Sequence, residues 1–318
     1  MKNLKAGQMY HQRTRAARIG ILIIMVIVEM LFFNIVLSGT TATAKQPSSP
    51  ATNHLPLIGP LTSTTAITIY LPIVMGSGSS SWWQPVVGAS WQWQLSNLPL
   101  DSSYGVDMYD IDLFDNDASV VAALHAQNRK VVCYISVGSW EDWRPDQDQF
   151  PASVIGSDYG GWPGEKWLDI RQIDLLAPVM RARLDECQAK GFDGIEPDNI
   201  DGYTNDTGFP LTYQDQLDFN IWLANEAHAR GLSIGLKNDP DQVADLLPYF
   251  DWALTEDCFA EGWCEQMLPF IEAGKPVFAA EYTDTGITTE QFCPQAKALN
   301  ISAILKNRDL DAWREVCR

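Results

Sequence analysis

From residue 90 onward, short runs rich in β-branched and aromatic residues alternate with longer amphipathic stretches. The runs SWQWQL (90–95), VDMYDID (106–112), KVVCYIS (130–136), GFDGIEPD (191–198), LSIGLK (232–237), FDWALTE (250–256), PVFAAEY (276–282) and ISAILKN (301–307) read as strands. Between them, DASVVAALHAQN, LLAPVMRARLDECQAKG, YQDQLDFNIWLANEAHARG, PDQVADLLPY, EQMLPFIEAGK and EQFCPQAKALN carry helical spacing. Gly191, Gly231 and Gly274 follow three of these stretches, where a left-handed residue ends a helix. Strand and helix alternating about eight times predict a parallel sheet with helical crossovers. The span from Trp82 to Arg318, 237 residues, suits an α/β fold of the (β/α)8 TIM-barrel type, a single catalytic domain. A doubly wound open sheet is the alternative, but no strand leads into GxGxxG or GxxxxGK, so nucleotide binding has no motif behind it.

The pattern changes before residue 82. Lys2, Lys5, Arg13, Arg15 and Arg18 precede the apolar run IGILIIMVIVEMLFFNIVL (19–37), and ATA follows at 42–44, as in an export signal. Residues 1–44 are therefore expected to direct secretion. Glu29 and Asn34 make a permanent span costly, and an uncleaved signal anchor tethering the protein to a membrane is the alternative. Residues 45–81, rich in Ser, Thr, Pro and Gly, read as a flexible linker. The globular domain is 82–318.

Charge and cysteines narrow the chemistry. The net charge of −18 is uneven: residues 1–81 hold six Lys/Arg against the single acid Glu29, whereas 82–318 hold 39 acids against 16 bases, a balance of −23. Such a body repels nucleic acid and attracts cationic partners. Cys133, Cys187, Cys258, Cys264, Cys293 and Cys317 read as three disulfides in an exported protein. Cys133 begins a strand and Cys187 ends the helix leading into the next, so the two meet near the amino-terminal face; Cys258 and Cys264 close a local loop, and Cys293 with Cys317 follows by elimination. There is no CxxC, and beyond residue 81 only His125 and His228 occur, so no metal site or cofactor is expected.

Reactive groups in such barrels project from the carboxyl ends of the strands. Reading those ends collects Trp93, Asp110, Asp112, Tyr134, Ser136, Glu196, Asp198, Lys237, Asn238, Glu256, Glu281 and Tyr282. No Ser/His/Asp or Cys/His arrangement is available, so carboxylates carry the chemistry, and two on one rim form the machinery for cleaving a glycosidic bond. Asp198 and Glu256, ending the fourth and sixth strands, are the expected pair. Trp140, Trp143, Tyr159, Trp162, Trp167, Tyr203 and Trp263 fit a sugar-stacking cleft, although packing serves any single Trp as well. EPDNIDGYTND (196–206) fails as a calcium loop because Ile200 occupies an alternating ligand position. Lys237 at a strand end also allows a Schiff-base aldolase, but Asn238 and the surrounding acids favour an ion-paired lysine.

The stretches WQWQL (91–95), VDMYDIDLFD (106–115), VVCYISVGSWEDWRPD (131–146), KWLDIR (166–171), GFDGIEPDNIDGY (191–203), GLKND (235–239), TEDC around Glu256, AAEY (279–282) and ILKNRDL (304–310) resemble glycoside hydrolase family 114, the endo-α-1,4-polygalactosaminidases. The resemblance covers almost all of 91–310. It implies a (β/α)8 barrel that cuts α-1,4-linked galactosamine polymers with retention, Asp198 serving as nucleophile and Glu256 as general acid/base, and it implies a polysaccharide partner. Free galactosamine units carry ammonium groups, which the −23 body would attract. Trp93, Asp110, Asp112, Tyr134, Ser136, Lys237, Asn238, Glu281 and Tyr282 are the expected substrate-binding residues, and a monomer is expected. A non-catalytic carbohydrate-binding or adhesion module, or a hydrolase of another α-linked polysaccharide, are the alternatives on the same barrel.

Overall fold

The computed structural model describes residues 81–317. The expected export segment 1–44, and the expected linker apart from Ser81, lie outside the described residues. In chain order the elements are β1 (Trp91–Gln94), β2 (Met108–Asp112), α1 (Ala118–His125), β3 (Lys130–Ser136), β4 (Ser139–Glu141), β5 (Ile155–Asp158), β6 (Glu165–Leu168), α2 (Ile173–Lys190), β7 (Gly194–Asp198), α3 (Tyr213–Ala229), β8 (Ser233–Lys237) and α4 (Val243–Leu246), then β9 (Trp252–Glu256), α5 (Cys258–Glu261), α6 (Leu268–Glu272), β10 (Val277–Tyr282), α7 (Thr289–Ala298), β11 (Ser302–Lys306) and β12 (Arg314–Val316).

Eight of these strands run parallel in the order β1-β2-β3-β7-β8-β9-β10-β11, and each corresponds to one of the eight apolar runs of the sequence. The ninth, β12, is antiparallel to β11. The segment leading into it bridges back to β1: Leu95 N–H donates to Leu310 carbonyl at 2.9 Å, and the Gln92 amide to Ala312 carbonyl at 2.7 Å. The result is a nearly closed TIM-type barrel.

The strand residues divide by parity, as a period-two backbone requires. One set, including Val131, Cys133, Ile135, Ile234, Leu236, Val277 and Ala279, packs against helix residues such as Leu176, Leu184, Phe219, Leu223 and Phe292. The other set, Trp91, Trp93, Met108, Val132, Trp252, Leu254, Phe278, Ala280 and Ile304, fills the interior. Both faces are buried, so the strands read as nearly continuous apolar runs. Gly235 makes room in that interior, because a Cβ there would overlap the Trp252 indole.

Helix ends follow local chemistry. Thr212 and Asp215 form a capping box at the start of α3, and Gly191 ends α2 at φ 90°, in the left-handed region that glycine adopts without a Cβ clash. Gly231 and Gly274 are likewise left-handed. The three disulfides are Cys133–Cys187, Cys258–Cys264 and Cys293–Cys317. The first pins the outer face of β3 to α2 across 54 residues, a closure that contributes about 4 kcal/mol on the chain-entropy account.

Two features depart from the sequence reading. Between β3 and α2 the chain builds a small antiparallel sheet in the order β4-β6-β5. Its strands have three or four residues each, too few to show a period. Gly138 carries the chain into it and lies so close to the Asn199 carbonyl that any Cβ would overlap that oxygen. From α2, the buried Arg183 donates to the Ser136 carbonyl at 2.6 Å and pairs with Asp146 at 2.7 Å, tying this insertion to the barrel. The other departure is the stretches PDQVADLLPY and EQMLPFIEAGK, which each split into a 3-10 turn and a short helix.

Candidate active site

Parity places the ionisable strand residues. On β7, Glu196 and Asp198 share the interior face; on β8 and β9, Lys237 and Glu256 take the corresponding positions; Tyr134 of β3 and Tyr282 of β10 complete the ring. The chain then turns sharply. Asn199, Asn238 and Asp257, the residues directly after Asp198, Lys237 and Glu256, have φ of 64°, 51° and 55°. Asn and Asp tolerate the left-handed region better than other non-glycine residues, and such positions gather at functional sites because they aim the preceding side chain.

Lys237 is the hub. Its Nζ lies 2.7 Å from Glu196 Oε1, 2.9 Å from Asp198 Oδ1 and 3.1 Å from Glu256 Oε2, and 4.7 Å from the centre of the Trp93 ring. Burial opposes its charge, but Asp198, Glu196 and Glu256 outweigh it and hold the ammonium pKa well above the ordinary lysine value. A protonated amine in three ion pairs has no lone pair to offer a carbonyl, which removes the Schiff-base reading. The lysine side chain is 2% exposed, whereas Asp198 and Glu256 are 20% and 26% exposed, so the two carboxylates meet solvent above the cation.

Each carboxylate has a second donor. Tyr134 Oη–H donates to Asp198 Oδ2 at 2.9 Å, and Tyr282 Oη–H donates to Glu256 Oε1. Burial and the adjacent carboxylates push both phenols well above the ordinary tyrosine range, so they remain neutral donors. Asn238 holds the backbone of Glu256, its Oδ1 accepting from the Glu256 N–H at 2.9 Å. Because one nitrogen contacts Asp198 Oδ1 and Glu256 Oε2, those oxygens are separated by at most the sum of its two contacts, 6.0 Å.

Other residues that the sequence reading assigns to substrate lie elsewhere. Glu281 has the opposite parity to Tyr282 and points outward, where its oxygens accept from the N–H groups of Phe259 and Ala260 at 2.8 and 2.9 Å and cap α5. Asp112 accepts from the Phe114 N–H at 2.7 Å and pairs with Arg144 at 2.7 Å. Ser136 bonds the Ser139 hydroxyl at 2.5 Å and accepts from the Asn199 amide at 3.0 Å. Trp93 and Asp110, 1% and 0% exposed, lie inside the barrel where no sugar reaches.

The inserted sheet carries Glu165, which the sequence reading missed, beside Trp143 and Trp162, which it named for the sugar-stacking cleft. Glu165 on β6 accepts from the Asn199 amide at 3.0 Å and from the Ser139 hydroxyl. Burial and the negative charge of Asp198 push its carboxyl up to about 8. Trp143 and Trp162, 49% and 51% exposed, lie in the loops of the same insertion. Just beyond the end of β8, the buried Asp239 accepts from Tyr203 Oη–H at 3.1 Å, and burial together with Asp201 pushes it up to about 8. Among the described residues, the group close enough to hold a metal is Cys258, Cys264 and Glu281, but the two thiols are joined in a disulfide and the carboxylate caps α5.

The raised carboxyls set a pH dependence. Glu165 and Asp239 at about 8 and Glu281 at about 7 hold protons in the folded chain that the unfolded chain releases near pH 4. Their contribution is complete below pH 4 and is lost as pH rises through 7 to 8. The melting temperature is therefore expected to fall by at least about 5 °C between pH 5 and pH 8, some 2 kcal/mol, and calorimetry at the two pH values checks it. A higher melting temperature at pH 8 would mean that these carboxyls ionise freely.

A nearly closed ring of parallel strands with two carboxylates converging at its carboxyl-end rim is the architecture of the barrel glycoside hydrolases. The chain belongs to glycoside-hydrolase family GH114, whose profile matches residues 75–318. It is similar to the crystal structure of Aspergillus fumigatus Ega3 in complex with galactosamine, with 42% identity and a TM-score of 0.72 over 76% of this chain and 100% of that one. The glycoside hydrolase domain of PelA from Pseudomonas aeruginosa shares the fold at 14% identity, with a TM-score of 0.56 over 71% of this chain and 98% of that one. An uncharacterized protein of Deinococcus radiodurans is 26% identical over 231 residues, 63% of this chain and 73% of that protein.

Proposed function

We propose that this glycoside hydrolase cuts α-1,4-linked galactosamine polymers with retention, Asp198 acting as nucleophile and Glu256 as general acid/base. The observation that carries the reading is the shared contact of both carboxylates with Lys237, which caps the separation of their nearest oxygens at 6.0 Å. Retaining sites hold their carboxyls about 5–5.5 Å apart, whereas inverting sites leave roughly 6.5–9.5 Å for a water.

An Asp198 oxygen attacks the anomeric carbon while the bond to the leaving oxygen breaks and Glu256 delivers its proton there. Glu256 then takes a proton from water, whose oxygen displaces Asp198 and frees the sugar. Tyr134 and Lys237 orient the nucleophile, and Tyr282, Asn238 and Lys237 orient the acid/base. Galactosamine as the sugar is supported by the ligand of the Ega3 crystal structure and by the −23 balance of residues 82–318, which favours a cationic polymer. Export through 1–44 and display on the 45–81 linker, with 82–318 as the catalytic domain, accord with the three disulfides. Among the described residues no helix is long and apolar enough to cross a membrane.

The test is digestion of defined α-1,4 galactosamine oligomers, followed by proton NMR of the new reducing ends. Shortened products released first as the α-anomer are expected. Release first as the β-anomer would overturn retention, and unshortened oligomers would overturn the substrate.

A further inference from the structure

Beneath Lys237 two acids face each other inside the barrel. Glu196, 0% exposed, gives one oxygen to Lys237 at 2.7 Å; its other oxygen, Oε2, has no Lys, Arg or amide partner. Asp110, also 0% exposed, has no such partner on either oxygen. The two side chains are within hydrogen-bond reach of each other. The groups around them are Trp93 on β1, Tyr134 on β3, Asp198 on β7 and Lys237 on β8. Only Lys237 among these is a cation, and it already serves Glu196, Asp198 and Glu256. Two carboxylates in contact away from water cannot both stay ionised, because the desolvation and like-charge costs exceed the cost of retaining one proton.

We propose that Asp110 is a neutral carboxylic acid that donates its proton to Glu196, and that this pair is a positioning device holding Lys237 between the two rim carboxylates. Asp110 gives Glu196 Oε2 the donor it otherwise lacks, and Glu196 keeps its charge for Lys237 through Oε1. An ionised Asp110 would compete for the ammonium and draw it down from the rim. Burial and Glu196 both push Asp110 well above the ordinary carboxylate range, in keeping with this assignment. The proposal rests on the reading of Asp198 and Glu256 as the reacting pair, although the proton itself does not.

Two measurements test it. Without substrate, the infrared difference spectrum of wild type minus Asp110→Asn at pH 7 is expected to show the carbonyl stretch of a protonated carboxylic acid; its absence overturns the shared proton while leaving the roles of Asp198 and Glu256 as they stand. With galactosamine oligomers, Asp110→Ala is expected to lower kcat about a hundredfold with KM within about twofold, the scale of a reacting group displaced by a distant change. Asp110→Asn, which supplies an N–H in place of the O–H, is expected to recover at least about tenfold of that loss. Equal impairment of Asn and Ala would show that the acid acts through its charge and would overturn the proposal. If Asp110→Ala does not fold, the infrared band decides alone. A wild-type chain that leaves the oligomers intact would overturn the proposed function but not the band.

Discussion

Asp198→Asn is expected to lower kcat/KM by at least about ten-thousandfold, or about 5.4 kcal/mol of transition-state stabilisation, while shifting the melting temperature by no more than a few degrees. The two halves of this expectation have separate causes. An amide has nearly the shape of the carboxylate it replaces, and its oxygen still accepts from Lys237 or Tyr134, which contact Asp198 at 2.9 Å each, so the packing survives. It cannot form the covalent bond to the anomeric carbon, because the amide oxygen is a poor nucleophile and leaves as a poor group. The residual rate then reflects binding and protonation by Glu256 alone. Steady-state kinetics on galactosamine oligomers, together with a thermal melt of the same preparation, check both halves. Turnover within about tenfold of wild type would remove Asp198 from the reaction.

The barrel was readable in the sequence because both faces of its strands are buried, which turns each strand into a compact apolar run bounded by breakers. The rim was readable because ionisable residues at the ends of such runs have few other places to go in this architecture. Depth and direction were less accessible. Glu281 and Tyr282 are neighbours in sequence and cannot both face the interior, so parity alone would have turned Glu281 toward the amides of Phe259 and Ala260. The same rule puts Glu196 on the face of Asp198 but one layer lower, where its role depends on Lys237 from the next strand. Glu165 had no local signal at all. It reaches Asn199 only because a short sheet folds back from β3, and that sheet is too brief to leave a period in the sequence.

Lys237→Met is expected to lower the melting temperature by about 10 °C at pH 7 and to reduce kcat by at least about a hundredfold, the larger structural penalty of any single change at the rim. Methionine nearly preserves the length and apolar stem of the lysine, so the cavity cost is small and charge decides the result. The variant leaves Glu196, Asp198 and Glu256 converging on a site without the ammonium that each contacts within 3.1 Å. Removing one partner from a buried ion pair costs about 3–5 kcal/mol, and here a single cation serves three acids. Without the cation the buried Glu196 retains a proton, because burial and the neighbouring Asp198 already raise its carboxyl above the ordinary range. The stability deficit is consequently largest at neutral pH and shrinks as pH falls and the buried acid becomes neutral and needs no cation. Activity falls because Asp198 and Glu256 lose the ammonium that contacts both. Melting curves at pH 7 and pH 5 separate this account from simple loss of packing, which would lower the melting temperature equally at both pH values.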